Sequence, residues 1–233
     1  MSSPTTLEER LDYIQGRILK AAVSAGRKSK QITLVAITKK FPIEVWEDAI
    51  NVNLTTLGES HVQEAQKKAE IFHKRNKIKL HFIGHLQSNK VRRAVDLFDV
   101  IQTVDSIRLA KKIDRICREN DKQQNLYLQV NTNGDLKKHG ISEKKALIVA
   151  REITKMENIK LEGIMTIPKQ NIPITELRNV YRKTRKIRDK IRLEINDKCK
   201  YISMGMSNDY ETAITEGATH IRIGVGLFGA RPN

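Results

Sequence analysis

Short apolar runs alternate with amphipathic stretches eight times along this chain, and that alternation constrains the fold more than any other feature. The runs are Thr33–Thr38, Thr56–Glu59, Leu80–Ile83, Val100–Val104, Asn125–Asn131, Lys160–Met165, Lys200–Met204 and His220–Ile223. Each is short enough for a buried strand and is followed by a helical pattern or a turn. Strict strand-then-helix order implies a parallel sheet. Eight repeats imply a closed (β/α)8 TIM barrel. Residues 5–25 stand outside the count: Leu7, Leu11, Ile14, Ile18 and Val23 recur at helical spacing, and Gly26 sits where a C-cap belongs. Thr5 with Glu8, or Thr6 with Glu9, has capping-box spacing. This segment is read as an extra N-terminal helix. The 233 residues suit one barrel, no Pro/Gly/Ser linker divides them, and about ten follow the last strand. A single domain over residues 1–233 is the expectation.

Composition narrows the function classes. No apolar run approaches the roughly 20 residues needed to cross a bilayer, so no membrane partner is expected. Residues 1–9 have no basic n-region and no apolar h-region. Cys117 and Cys199 lie far apart and form no C-x-x-C. Together these point to a reduced, cytoplasmic setting. The net charge of +16 raises nucleic-acid binding as a hypothesis. The densest basic stretch argues against a dedicated site. Between Leu177 and Arg192, Leu177, Val180, Tyr181, Thr184, Ile187 and Ile191 take one helical face, leaving the arginines and lysines mostly on the others. That is a solvated face, with few aromatic residues in the chain for base stacking. No specific nucleic-acid partner is expected.

Thr33–Thr38 runs straight into Lys39, and Pro42 prevents its continuation. A lysine at the end of a buried strand is hard to explain as core, because an unpaired buried ammonium is costly. Strand C-terminal ends are where barrels carry their chemistry. Lys39 is therefore read as a Schiff-base lysine. At the end of the seventh run stands Ser203-Met204-Gly205-Met206-Ser207. At the end of the eighth stands Arg222-Ile223-Gly224-Val225-Gly226. Loops in these positions commonly build a phosphate site from backbone amides, and Ser207 adds a hydroxyl. A lysine on the first strand and a phosphate cradle after the last two are together what pyridoxal phosphate requires. Arg222, facing inward, would meet the ring nitrogen, keep it unprotonated and weaken the ring as an electron sink. The plainer reading of Arg222 is a salt bridge to a strand carboxylate such as Glu59. His81 and His85 are spaced to share a metal, but no third ligand is evident and no metal is expected. Trp46 is read as packing a helix against the barrel.

These same segments carry a family resemblance. Leu34-Val35-Ala36-Ile37-Thr38-Lys39, Gly58-Glu59, Val62-Gln63-Glu64, His81-Phe82-Ile83-Gly84-His85-Leu86-Gln87-Ser88-Asn89-Lys90, Ser203-Met204-Gly205-Met206-Ser207 and Arg222-Ile223-Gly224 resemble the YggS/PROSC family of pyridoxal-phosphate-binding proteins. The resemblance runs along nearly the whole chain in order. It implies a barrel like the N-terminal domain of alanine racemase. It implies pyridoxal 5'-phosphate held covalently on Lys39 rather than Lys40, with Ser207, Arg222, Gly224 and Val225 as further cofactor contacts. The implied role is intracellular pyridoxal phosphate (vitamin B6) homeostasis without established catalytic turnover. The implied protein is a monomer whose partners include apo forms of pyridoxal-phosphate enzymes. Lys40, or Lys138 on the loop after the fifth strand, would supply the second amine for cofactor transfer. An amino-acid racemase is the alternative, and it would need a second base opposite Lys39. Three positions depart from the family pattern: Ser60 for an asparagine, Val225 for a threonine, and Gly134 where the loop usually carries an acid. With valine at 225, any phosphate contact there is through the backbone.

Overall fold

A computed structural model describes residues 4–134 and 139–232, so Lys138 lies outside the described residues. Nine parallel strands form the sheet: β1 (Thr33–Ile37), β2 (Thr56–Glu59), β3 (Lys79–Phe82), β4 (Val100–Val104), β5 (Gln124–Asn131), β6 (Ile141–Ser142), β7 (Ile159–Met165), β8 (Tyr201–Ser203) and β9 (His220–Ile223). Their order is β4-β3-β2-β1-β9-β8-β7-β5, with β6 appended to β5, and β4 also pairs with β5. That last pairing closes eight strands into a (β/α)8 barrel. The two-residue β6 is an annex that pairs Val130 with Ile141. It carries no periodicity a sequence reading can detect.

The helices are α1 (Leu7–Ser24), α2 (Glu44–Asn51), α3 (Val62–Ile71), α4 (Val91–Leu97), α5 (Ile107–Glu119), α6 (Glu143–Ile153), α7 (Ile174–Glu194), α8 (Tyr210–Thr215) and α9 (Val225–Phe228). The extra N-terminal helix is α1. Its cap is Thr6 with Glu9: the Glu9 amide donates to Thr6 Oγ1 at 3.2 Å, and Glu9 Oε2 accepts from the Thr6 amide at 3.2 Å. Leu11, Ile14 and Ile18 bury the expected stripe, while Val23 is exposed. The helix that opens at Val62 ends at Ile71, and a separate 3-10 turn forms at Arg75–Lys77. On α7, the six apolar-face residues named from the sequence are the buried ones. Among the described residues no helix is long and apolar enough to cross a membrane. Cys117 and Cys199 are both buried and free.

Parallel register puts all the strand C-termini on one rim. Thr33 lies opposite His220 and Ala36 opposite Ile223, while Ile37 lies opposite Gly58. The ends of β1, β2 and β9 therefore meet on adjacent strands of that rim. The side chains filling the barrel below are partly polar: His81, Gln102, Ser203 and Arg222 are all buried, while Glu59, on the opposite face of β2, is buried against α2 and α3.

Candidate functional site

Lys39 lies two residues past β1 and is partly buried; Lys40, next to it, is exposed and has a left-handed φ of 61°. That reversal separates the two residues, leaving Lys39 partly buried and Lys40 in solvent. Burial pushes the Lys39 ammonium below the usual lysine range, helped by the positive charges of Arg231, Lys40 and Arg222; Glu59 opposes it. A lysine in this environment offers its neutral, nucleophilic form more readily than a surface lysine does.

The backbone on both sides of Lys39 is held by α3. Lys68, buried on α3, donates to the Thr38 carbonyl at 2.8 Å and to Glu59 Oε1 at 2.7 Å. It also donates to Glu64 Oε1 at 3.0 Å, and that same oxygen accepts the Lys40 amide at 2.5 Å. Thr38 Oγ1 donates to Glu59 Oε1 at 2.7 Å and accepts from Trp46 Nε1 at 3.0 Å. Trp46 is fully buried and meets Phe72 edge-on at 5.3 Å, so it does pack α2 against the barrel. Glu64 and Lys68 stand four residues apart, a spacing that sequence alone reads as a surface ion pair.

The glycine turn after β9 closes against the start of the site. A Cβ on Gly224 would sit 3.0 Å from the Ile37 carbonyl, two residues before Lys39. A Cβ on Gly226 would sit 3.6 Å from Ser207 Oγ. The turn is thus wedged between the β1 end and the loop after β8. Val225 and Gly226 open α9, so their amides precede the helix's own hydrogen bonding and remain free to donate outward. Ser207, Val225, Gly226 and Arg231 all line one cleft of about 960 Å³, bounded by Tyr13 and Arg17 of α1 and by residues 168–172. Lys39 is not on the wall of that cleft. Its link to it is Arg231, the cation that acts on it most strongly.

Arg222 is 4% exposed and does not pair with Glu59. It donates to Ser203 Oγ at 2.7 Å and to the Thr166 carbonyl at 3.0 Å. Glu59 is committed to Lys68 instead. Ser203 Oγ donates onward to Gln102 Oε1 at 2.6 Å, and Gln102 Nε2 meets His81 Nδ1 at 2.6 Å. His81 stacks on His220 at 5.9 Å. His81 is therefore an interior residue, and it does not join His85, whose neighbours are Asp105 and His139. Burial lowers both interior imidazoles, His81 well below the ordinary value and His220 to about 3. Among the described residues Arg222 is the one buried arginine; its hydrogen-bond partners are neutral, and the Asp209 carboxylate acts on it through space.

The alanine racemase N-terminal domain family matches residues 24–232. A pyridoxal phosphate homeostasis protein of Aquifex aeolicus is 37% identical over 96% of this chain and 97% of its own. This chain belongs to the pyridoxal phosphate homeostasis protein family. PipY of Synechococcus elongatus, solved with pyridoxal phosphate bound, superposes with a TM-score of 0.86 at 29% identity, covering 96% of this chain and all of its own. An alanine racemase of Clostridium difficile shares the fold at 15% identity and a TM-score of 0.72, covering 94% of this chain and 60% of its own.

Proposed function

We propose that this protein binds pyridoxal 5'-phosphate as a Schiff base on Lys39 and serves pyridoxal phosphate homeostasis as a cytoplasmic, single-domain monomer, with apo pyridoxal-phosphate enzymes as recipients. The observation that carries the reading is the packing of the glycine turn after β9 against the β1 end that leads to Lys39. Lys39 has a depressed ammonium pKa, and Gly224 is pressed against the β1 end that leads to it. Ser207 Oγ stands beside Gly226. The donor set fits a phosphate ester: a hydroxyl and two outward amides, on a backbone whose glycines leave room for close approach. Arg231 and Arg17 add positive charge to the cleft wall. When bound, the cofactor supplies a reactive aldehyde and a conjugated ring.

The protein's own side chains and amides set how that group is held and used. Lys39 presents a nucleophilic amine. Lys68 and Glu64 fix the peptides on either side of it. Ser207 and the Val225 and Gly226 amides hold the phosphate. Arg222 would set a permanent cation against the bound ring, a partner that would leave the ring nitrogen unprotonated and weaken the ring as an electron sink. That cation favours storage and delivery over turnover. Lys40, exposed beside Lys39, is the described amine best placed to exchange with it.

Borohydride reduction of the protein loaded with pyridoxal phosphate, followed by peptide mapping, tests the assignment. The expected product is a single adduct on Lys39, absent from Lys39→Ala, which keeps its circular dichroism spectrum. An adduct on Lys40, or none at all, overturns it. Sustained enzyme-rate exchange of the alanine Cα hydrogen with deuterium would favour a racemase.

A further inference from the structure

We propose that His85, Asp105 and His139 form a binding site for a divalent transition metal, zinc above all, across the barrel from the cofactor cradle. The three side chains come from three neighbouring positions on the rim. His85 lies three residues past β3, Asp105 directly follows β4, and His139 precedes β6. Each imidazole offers Nδ1 to the same carboxylate oxygen, and both Nδ1–Asp105 Oδ2 distances are 3.8 Å. The two rings stack face to face, 3.8 Å between centroids and 15° from parallel. One ligand atom from each residue lies within 4.8 Å of the other two. Zinc bonds of about 2.0–2.2 Å in tetrahedral geometry separate ligand atoms by roughly 3.3–3.5 Å. Ligation would turn the two imidazoles out of their parallel stack, so that both in-plane lone pairs meet at one ion.

The frame beneath these side chains is fixed. A Cβ on Gly84 would fall 2.0 Å from the Ser60 carbonyl, so the residue before His85 is wedged against the β2 end. Thr103 Oγ1 donates to the Gly84 carbonyl at 2.5 Å. Gln129 Nε2 donates to the His139 carbonyl at 3.3 Å. Asp105 is mostly shielded while the two histidines are open to solvent, which leaves a path for the ion. A pocket of about 260 Å³, lined by His85, Asp105, Ser106 and Arg108 among others, adjoins the cluster. Two imidazoles and one carboxylate are borderline ligands that suit zinc, and three protein ligands leave a fourth position for water. Around the ring of eight, β3 is four strands from β8, and β4 four from β9. The metal site is therefore diametrically opposite the Ser207–Gly226 cradle, and it does not depend on the Lys39 reading.

Equilibrium titration of the full chain with zinc chloride, read by calorimetry, tests this site. Cobalt(II) in parallel reports ligation through its visible bands. One ion per chain is expected. His85→Ala and His139→Ala should each weaken binding by more than about 100-fold, beyond the roughly 10–100-fold that the loss of an outer-shell partner typically costs. His61→Ala, which removes an exposed histidine elsewhere, should leave binding unchanged, as should Lys39→Ala. Absence of saturable binding overturns the proposal. So does binding that survives the His85→Ala/His139→Ala double variant with its circular dichroism intact, or that is lost with Lys39→Ala.

Discussion

Among the described residues two cations are buried, one between the barrel wall and α3 and the other inside the barrel, and they are treated in opposite ways. Lys68, beneath the β2 side of the rim, has two carboxylates within 3.0 Å. Arg222, on the β9 side, is as deeply buried and has a hydroxyl and a carbonyl. The first charge is spent inside the protein. Breaking such a pair strands a buried carboxylate, so Lys68 is fixed for structural reasons. The second charge has no acid hydrogen-bonded to it, and the Asp209 carboxylate acts on it only through space. Burial alone does not tell the two cations apart. What separates them is whether an acid is bonded to the charge.

Four measurements can break or sharpen this contrast. The largest effect belongs to Lys68→Met, which leaves Glu59 buried without its partner and should destabilise the fold by about 3–5 kcal/mol in urea titration. A cost under about 1 kcal/mol would show that the pair contributes little. Acid comes next. His220 is held at about 3 and His81 is also lowered, both by burial first. An unfolded histidine titrates near 6.5. The unfolded state thus binds more protons, and stability present above that value is lost as pH falls toward about 3, at up to roughly 1.4 kcal/mol per unit for each imidazole. His220→Gln should flatten that slope in acid-denaturation curves.

Arg222→Met should cost less, about 1–3 kcal/mol, because it strands only the neutral acceptors Ser203 and Thr166. It should also raise the His220 titration midpoint, since Arg222 is one of the charges depressing it. Unlike Lys68→Met, it should shift the visible spectrum of the cofactor-loaded protein. Equal spectra in the two variants would erase the distinction between them. The smallest effect is that of Arg231→Gln. Removing the cation closest in influence to Lys39 should move the pH midpoint of borohydride-trappable bond formation upward, with no change in urea stability.

Much of the barrel and its rim is legible in the residues alone. Eight apolar runs imply the barrel because parallel strands buried on both faces leave a period no surface element mimics. Arg222 reads as inward because it alternates with Ile221 and Ile223 on a strand. Lys39 stands out because an apolar run ends on it. Other features leave no local trace. Lys68 sits on a helix four residues after Glu64, and nothing in that spacing distinguishes a buried clamp from a solvated pair. Its role depends on Thr38 and Glu59, on two other strands. Asp105 escapes a metal reading for a similar reason. It lies 20 residues from His85, and only strand pairing brings the β3 and β4 ends together. The α9 turn is four residues long, too short to show periodicity.

Glu64 and Lys68 project from consecutive turns of α3, so the path of the backbone through Lys39 is set by the phase of one helix about its own axis. Slipping α3 by a single residue would rotate both supports by about 100° and release the peptides on either side of Lys39 together. Length changes in the segment between β2 and α3 should therefore be accepted in steps that restore that phase, while a single added residue should loosen the amine in an otherwise folded barrel.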